Sequence, residues 1–122
     1  MIENGATTVW ERFEDKQGSG MNSHDHPMYA AVGHWFYAGL LGITPDGCGW
    51  QRFTVAPSFP TELLLAEARV DTPMGEIYVR WQRKYGMIDV LVDVPFGAEA
   101  SLRLPTGSHS LGSGSHTFSF AE

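Results

Sequence analysis

Apolar and polar residues alternate with one period in the first third of the chain and another in the rest. From Met28 to Leu41 apolar side chains recur on nearly every face of a helical wheel, Val32, Trp35, Phe36, Leu40 and Leu41 among them. A helix that is apolar all round is buried on all sides or lacks a partner. Pro27 suits the first turn of that helix, and Gly42 and Pro45 end it. Beyond Trp50 the period falls to two. Trp50–Val55 is strand-like and is closed by Pro57 and Pro60. Leu63–Val70 starts apolar and then alternates. In Glu76–Trp81, Ile77, Val79 and Trp81 share one side, and in Met87–Val94, Ile88, Val90, Val92 and Val94 do. Ala100–Leu104 and Thr117–Phe120 complete the series, with Gly107–Ser115 between them reading as a long hairpin turn. Strands at this spacing, separated by Pro73-Met74-Gly75 and Tyr85-Gly86 turns, predict an antiparallel β-sandwich. The fold class is therefore mainly β with a short helical N-terminal part: residues 1–45 helical, 46–122 the sandwich.

Ahead of the apolar helix, Thr8-Val9-Trp10-Glu11 fits the S/T-x-x-E capping box, with Thr8 as N-cap and Glu11 as its reciprocal partner. Gln17–Ser23 is a loop by composition.

The chain has 122 residues, 43% hydrophobic and 18% charged, which is the make-up of one folded domain or of one small domain with an appendage. A formal charge of −6 argues against nucleic-acid or anionic-membrane partners, which both require clustered Lys and Arg. The local group Arg80, Arg83 and Lys84 reads as a solvated strand face. Cys48, the single cysteine, has no internal disulfide partner and reads as a bystander thiol. His24 and His26 stand two residues apart, a spacing found in metal sites, but no third ligand accompanies them, so neither metal nor cofactor is expected. No basic n-region leads into an apolar core at the N-terminus, which implies a cytoplasmic location if the chain is complete. The apolar run 28–43 is shorter than the ~20 residues that span a bilayer.

Two stretches carry a resemblance. Gly5–Phe13 (GATTVWERF) and Ser23–Tyr37 (SHDHPMYAAVGHWFY) resemble the end of the catalytic domain of the inverting α-L-rhamnosidases. Ile43–Pro57 (ITPDGCGWQRFTVAP) and Asp93–Pro105 (DVPFGAEASLRLP) are similar to the opening strand and a later strand pair of the small sandwich that ends those enzymes. The resemblance implies the last helices of an incomplete (α/α)6 barrel followed by a C-terminal β-sandwich. It implies that Glu11 is the general base, that His26 touches the sugar, that Trp10 walls the site, and that the ligand is a rhamnose-containing glycoside. The family more often carries Asn where Asp25 stands. Inverting glycosidases need two carboxyl groups roughly 6.5–9.5 Å apart. The family's general acid belongs to an Asp/Glu-rich motif far upstream of the base, so the chain alone is expected to be inactive.

Rival readings come from the residues themselves. Glu11 could be a helix cap and nothing else. The sandwich could bind carbohydrate through exposed aromatics such as Trp50, Trp81, Tyr78 and Phe96, or the chain could be an oligomerising module that forms a homodimer through helix 28–41.

Overall fold

The computed structural model describes residues 1–15, 18–20 and 23–122, which form two compact units, Met1–Trp35 and Phe36–Glu122. Of the loop expected at Gln17–Ser23, Gln17, Met21 and Asn22 lie outside the described residues, and Gly18–Gly20 form one 3-10 turn.

The first unit holds a 3-10 turn at Ile2–Asn4 and two short helices, α1 (Pro27–Ala30) and α2 (Val32–Trp35). The expected capping box is absent. Residues 11–14 are bends rather than a helix, because both of its side chains bond elsewhere: Thr8 to the His24 carbonyl and Glu11 to the Ser23 amide. The single long helix predicted from the apolar run is likewise corrected. It is broken at Ala31, whose carbonyl accepts the His34 N–H at 3.1 Å. Met28, Val32 and Trp35 are exposed.

The second unit opens with a π-helical turn, Phe36–Leu40, and continues as eight strands. These are β1 (Ile43–Pro45), β2 (Arg52–Val55), β3 (Leu65–Thr72), β4 (Gly75–Lys84), β5 (Met87–Val94), β6 (Glu99–Leu104), β7 (Gly107–Leu111) and β8 (Gly114–Ala121). They form two four-stranded sheets, in the orders β1-β2-β6-β7 and β3-β4-β5-β8, whose inner faces share one hydrophobic core. The second sheet is antiparallel throughout. In the first, β2 and β6 run parallel, with Phe53 opposite Ala100, since the chain crosses to the other sheet and back between them. The hairpin turn expected at Gly107–Ser115 is mostly strand β7, and β1 forms at residues that the pattern assigned to the end of the helix.

The period-two alternation sets the core. Ile77, Val79 and Trp81 of β4, Val90 and Val92 of β5, and Leu102 of β6 are almost entirely buried, each apolar side chain stabilising the fold by about 1.5–3 kcal/mol. The aromatic-platform reading fails at Trp81, which is 0% exposed. The face of its ring meets Arg83, 5.8 Å from the centroid, and Phe59 packs on it edge-on at 5.3 Å.

Two glycines are required by backbone geometry. Tyr85 and Gly86, with φ of 53° and 73°, form the two-residue turn between β4 and β5, a conformation that matches the twist of the flanking strands. Gly42 lies at φ 65°, and a Cβ there would fall 2.0 Å from the Ala56 carbonyl oxygen. Close approach at Gly42 lets Ala56 donate to its carbonyl at 3.1 Å and Ser58 donate to Leu40 at 2.9 Å, so the helical turn is tied to the exit of β2.

Arg83 is not part of a solvated basic face. Its side chain is only 10% exposed, and its guanidinium donates to the carbonyls of Phe59, Pro60 and Leu63 while pairing with Glu122 at 2.8 Å. It ties the segment between β2 and β3, and the C-terminal residue, to β4. Arg83→Met keeps the stem but removes the donor that those carbonyls share, leaving Pro60 with only the Leu63 N–H. It should lower unfolding stability by about 2–4 kcal/mol in urea titration. Arg83→Lys should recover little of this, because a single ammonium cannot replace the fork. Glu122→Gln, at the exposed end of the pair, should cost under about 1 kcal/mol.

Candidate active site

The two stretches that carry the resemblance meet in the first unit as paired backbone segments. Glu11 donates its N–H to the Ser23 carbonyl at 2.9 Å, and His26 donates its N–H to the Val9 carbonyl at 2.8 Å. Thr8 Oγ1 adds a bond to the carbonyl of His24. The return bond at the first of these pairs runs from the Ser23 N–H to Glu11 Oε2, at 3.0 Å, so a side chain accepts where a strand ladder would use a carbonyl. Glu11 is exposed, and this contact orients its carboxylate through one oxygen. An ionised carboxylate has about two lone-pair sites on each oxygen, so a group held through one oxygen can accept a proton at the other.

Ser23 Oγ closes a local turn around Asp25, donating to its carbonyl at 3.0 Å and accepting its N–H at 3.3 Å. Asp25 is exposed, and the next residue, His26, is half-buried. The backbone thus joins Glu11 and His26 to one pair of segments across the intervening residues.

Trp10 is 8% exposed, and its backbone N–H points to Met1 Sδ at 3.2 Å. Its indole lies face to face with His24, with ring centroids 4.0 Å apart and planes 7° from parallel. His24 Nε2 is 3.6 Å from Asp15 Oδ1, an exposed pair of small energetic weight. Trp10 and Glu11 both line a hollow of about 280 Å³, together with Met1, Val9, Arg12 and Phe13. Sequence reasoning weighed His24 only as a metal ligand, and neither its stack on Trp10 nor its pairing with Asp15 was foreseen. An imidazole that stacks on an indole fourteen residues away leaves no signature in residue spacing. Among the described residues no group of three or more His, Cys, Asp or Glu side chains could hold a metal ion.

Along the chain, short helical turns precede an eight-stranded, antiparallel-rich sandwich. The family comparisons are specific. Residues 1–40 match the bacterial alpha-L-rhamnosidase six-hairpin glycosidase domain, and residues 42–119 match the bacterial alpha-L-rhamnosidase C-terminal domain. The chain belongs to the bacterial alpha-L-rhamnosidase family. It is 38% identical over 110 residues to an alpha-L-rhamnosidase of Alteromonas sp. (strain LOR), an alignment that covers 85% of this chain and 12% of that protein. The structure is similar to that of an alpha-L-rhamnosidase from Dictyoglumus thermophilum, with a TM-score of 0.87 and 30% identity over 100% of this chain and 17% of the other. It also resembles a Streptomyces avermitilis alpha-L-rhamnosidase complexed with L-rhamnose, with a TM-score of 0.81 and 29% identity over 98% of this chain and 14% of the other. The chain thus spans a small C-terminal fraction of the relatives that it matches.

Proposed function

We propose that this polypeptide supplies the terminal part of an inverting α-L-rhamnosidase-like glycoside hydrolase and has no turnover by itself. Helical residues 1–45 are the end of the catalytic barrel and 46–122 the accessory sandwich, with the three residues of β1 joining the sandwich side. Glu11 is the general base. It takes a proton from the water that attacks the anomeric carbon, while an acid outside these 122 residues protonates the leaving oxygen on the opposite side. His26 contacts the sugar or the attacking water, and Trp10 gives the apolar wall of the hollow that it shares with Glu11. The substrate class is a rhamnose-containing glycoside, in keeping with the L-rhamnose bound by the Streptomyces avermitilis relative.

The observation that carries this reading is the Glu11 contact. A residue acting only as a helix cap would bond the amides of its own first turn, whereas Glu11 reaches across to Ser23 on the segment that bears His26. Release of aryl alcohol from an aryl α-L-rhamnoside by the 122-residue chain should not rise above the buffer rate. Hydrolysis abolished by Glu11→Gln in the isolated chain would overturn the inactive reading. The missing acid would then be sought among Glu14, Asp15 and Asp25.

A further inference from the structure

The outer face of the β3-β4-β5-β8 sheet is polar in a particular arrangement. Cross-strand register places Glu67, Arg80, Leu91 and Thr117 in one row and Gln82, Asp89 and Ser119 in the next, while Tyr78, Asp93 and Ser115 lie on the other side. Leu91, half-buried, is the apolar floor of the central row. Asp89 and Asp93 flank it on the same strand, each about 6.8 Å away along β5. Both carboxylates are oriented by hydroxyls of β8, since Ser119 donates to Asp89 and Ser115 to Asp93, each at 2.5 Å. On the opposite flank Arg80 donates to Gln82 at 2.9 Å, and Tyr78 donates to Glu67 at 2.8 Å. That bond, with desolvation and the Glu67 charge behind it, raises the Tyr78 pKa. Arg80, Gln82, Asp89, Leu91, Thr117 and Ser119 border an open trough of about 520 Å³, well within the size of small-ligand sites.

We propose that this trough is a binding site for a neutral oligosaccharide. An apolar floor suits the C–H face of a pyranose ring, and fixed carboxylate, amide, guanidinium and hydroxyl groups on both flanks suit its ring of hydroxyls. The carboxylates outnumber the guanidinium groups on this face, which disfavours anionic glycans, phosphates and nucleic acid. The site belongs to the second unit and is independent of the Glu11 chemistry, so either reading can fail without the other.

The test is a two-dimensional NMR titration of the 122-residue chain with β-1,4-linked hexasaccharides of glucose, mannose and galactose. At least one should shift the amides of residues 80–82, 89–91 and 117–119 at concentrations up to about 10 mM. Asp89→Ala and Gln82→Ala, both outward-facing, should each weaken that binding about fivefold while leaving the melting curve intact. Raising NaCl to about 0.5 M should change the affinity less than twofold, because no net charge is neutralised on binding. The proposal is overturned if none of the three sugars shifts this face, or if the shifts map elsewhere. It is overturned equally if salt abolishes the binding, which would mark the trough as a site for cationic ligands.

Discussion

Trp81→Ala should destabilise the sandwich by about 3–5 kcal/mol, the range for removing a large buried aromatic. For a domain of this size that lowers the melting temperature by upwards of about 12 °C, read by circular dichroism. The indole is 0% exposed on the central strand β4, between Ala66 of β3 and Val90 of β5. Deleting it would also strip Phe59 of an edge-to-face partner, and Phe59 in turn contacts Phe120 at 5.5 Å. The loss should therefore extend from the β2–β3 connection to β8. Trp81→Phe makes the informative contrast. The Trp81 Nε1–H has no acceptor among the described residues, so the smaller ring discards a buried unpaired donor along with some volume. It should cost less than about 1.5 kcal/mol. An alanine variant as stable as the phenylalanine one would show that the core does not close on this residue.

The second large effect belongs to catalysis and is measured in the intact enzyme of which the proposed function makes this chain the terminal part. With Glu11 as the proposed general base, Glu11→Gln in that enzyme should reduce kcat about 10²–10⁴-fold, the usual contribution of a general base. KM should change little. Gln preserves the shape of the side chain and can still accept the Ser23 N–H through its amide oxygen, but it cannot take a proton from water. A kcat unaltered by this substitution would reduce Glu11 to a structural acceptor for the Ser23 amide.

Much of the sandwich was legible because a strand with one buried face records its geometry at a period of two. Ile77, Val79 and Trp81, and Ile88, Val90, Val92 and Val94, alternate in the sequence as they alternate between core and solvent. Strand β7 escaped because it is an edge strand in which only Leu111 is buried, so Ser108, His109 and Ser110 show no alternation. β1 escaped because three residues ending in proline carry too little pattern to read. Arg83 looked like surface charge because its acceptors are main-chain carbonyls twenty or more residues back, and a carbonyl has the same chemistry in any sequence.

In the candidate site, residue order alone singled out Glu11, Trp10 and His26, through the resemblance of the segments that contain them. It misjudged what those residues do locally. Thr8 and Glu11 satisfy the capping-box pattern, yet their side chains have stronger claims on Ser23 and His24, which only the folded chain brings within 3 Å of Glu11 in the case of the Ser23 amide. The sequence by itself determined the fold class, the inward faces of the long strands, the turn at Tyr85-Gly86 and the family, because these depend on local periodicity, backbone permissiveness and residue order. Tertiary structure alone decided the parallel pairing of β2 with β6, the Arg83 clamp, the stack of His24 on Trp10 and the outward trough over Leu91. Each of these joins groups far apart in the chain, and the pairing of distant groups is settled by the packing of the whole core rather than by any local preference.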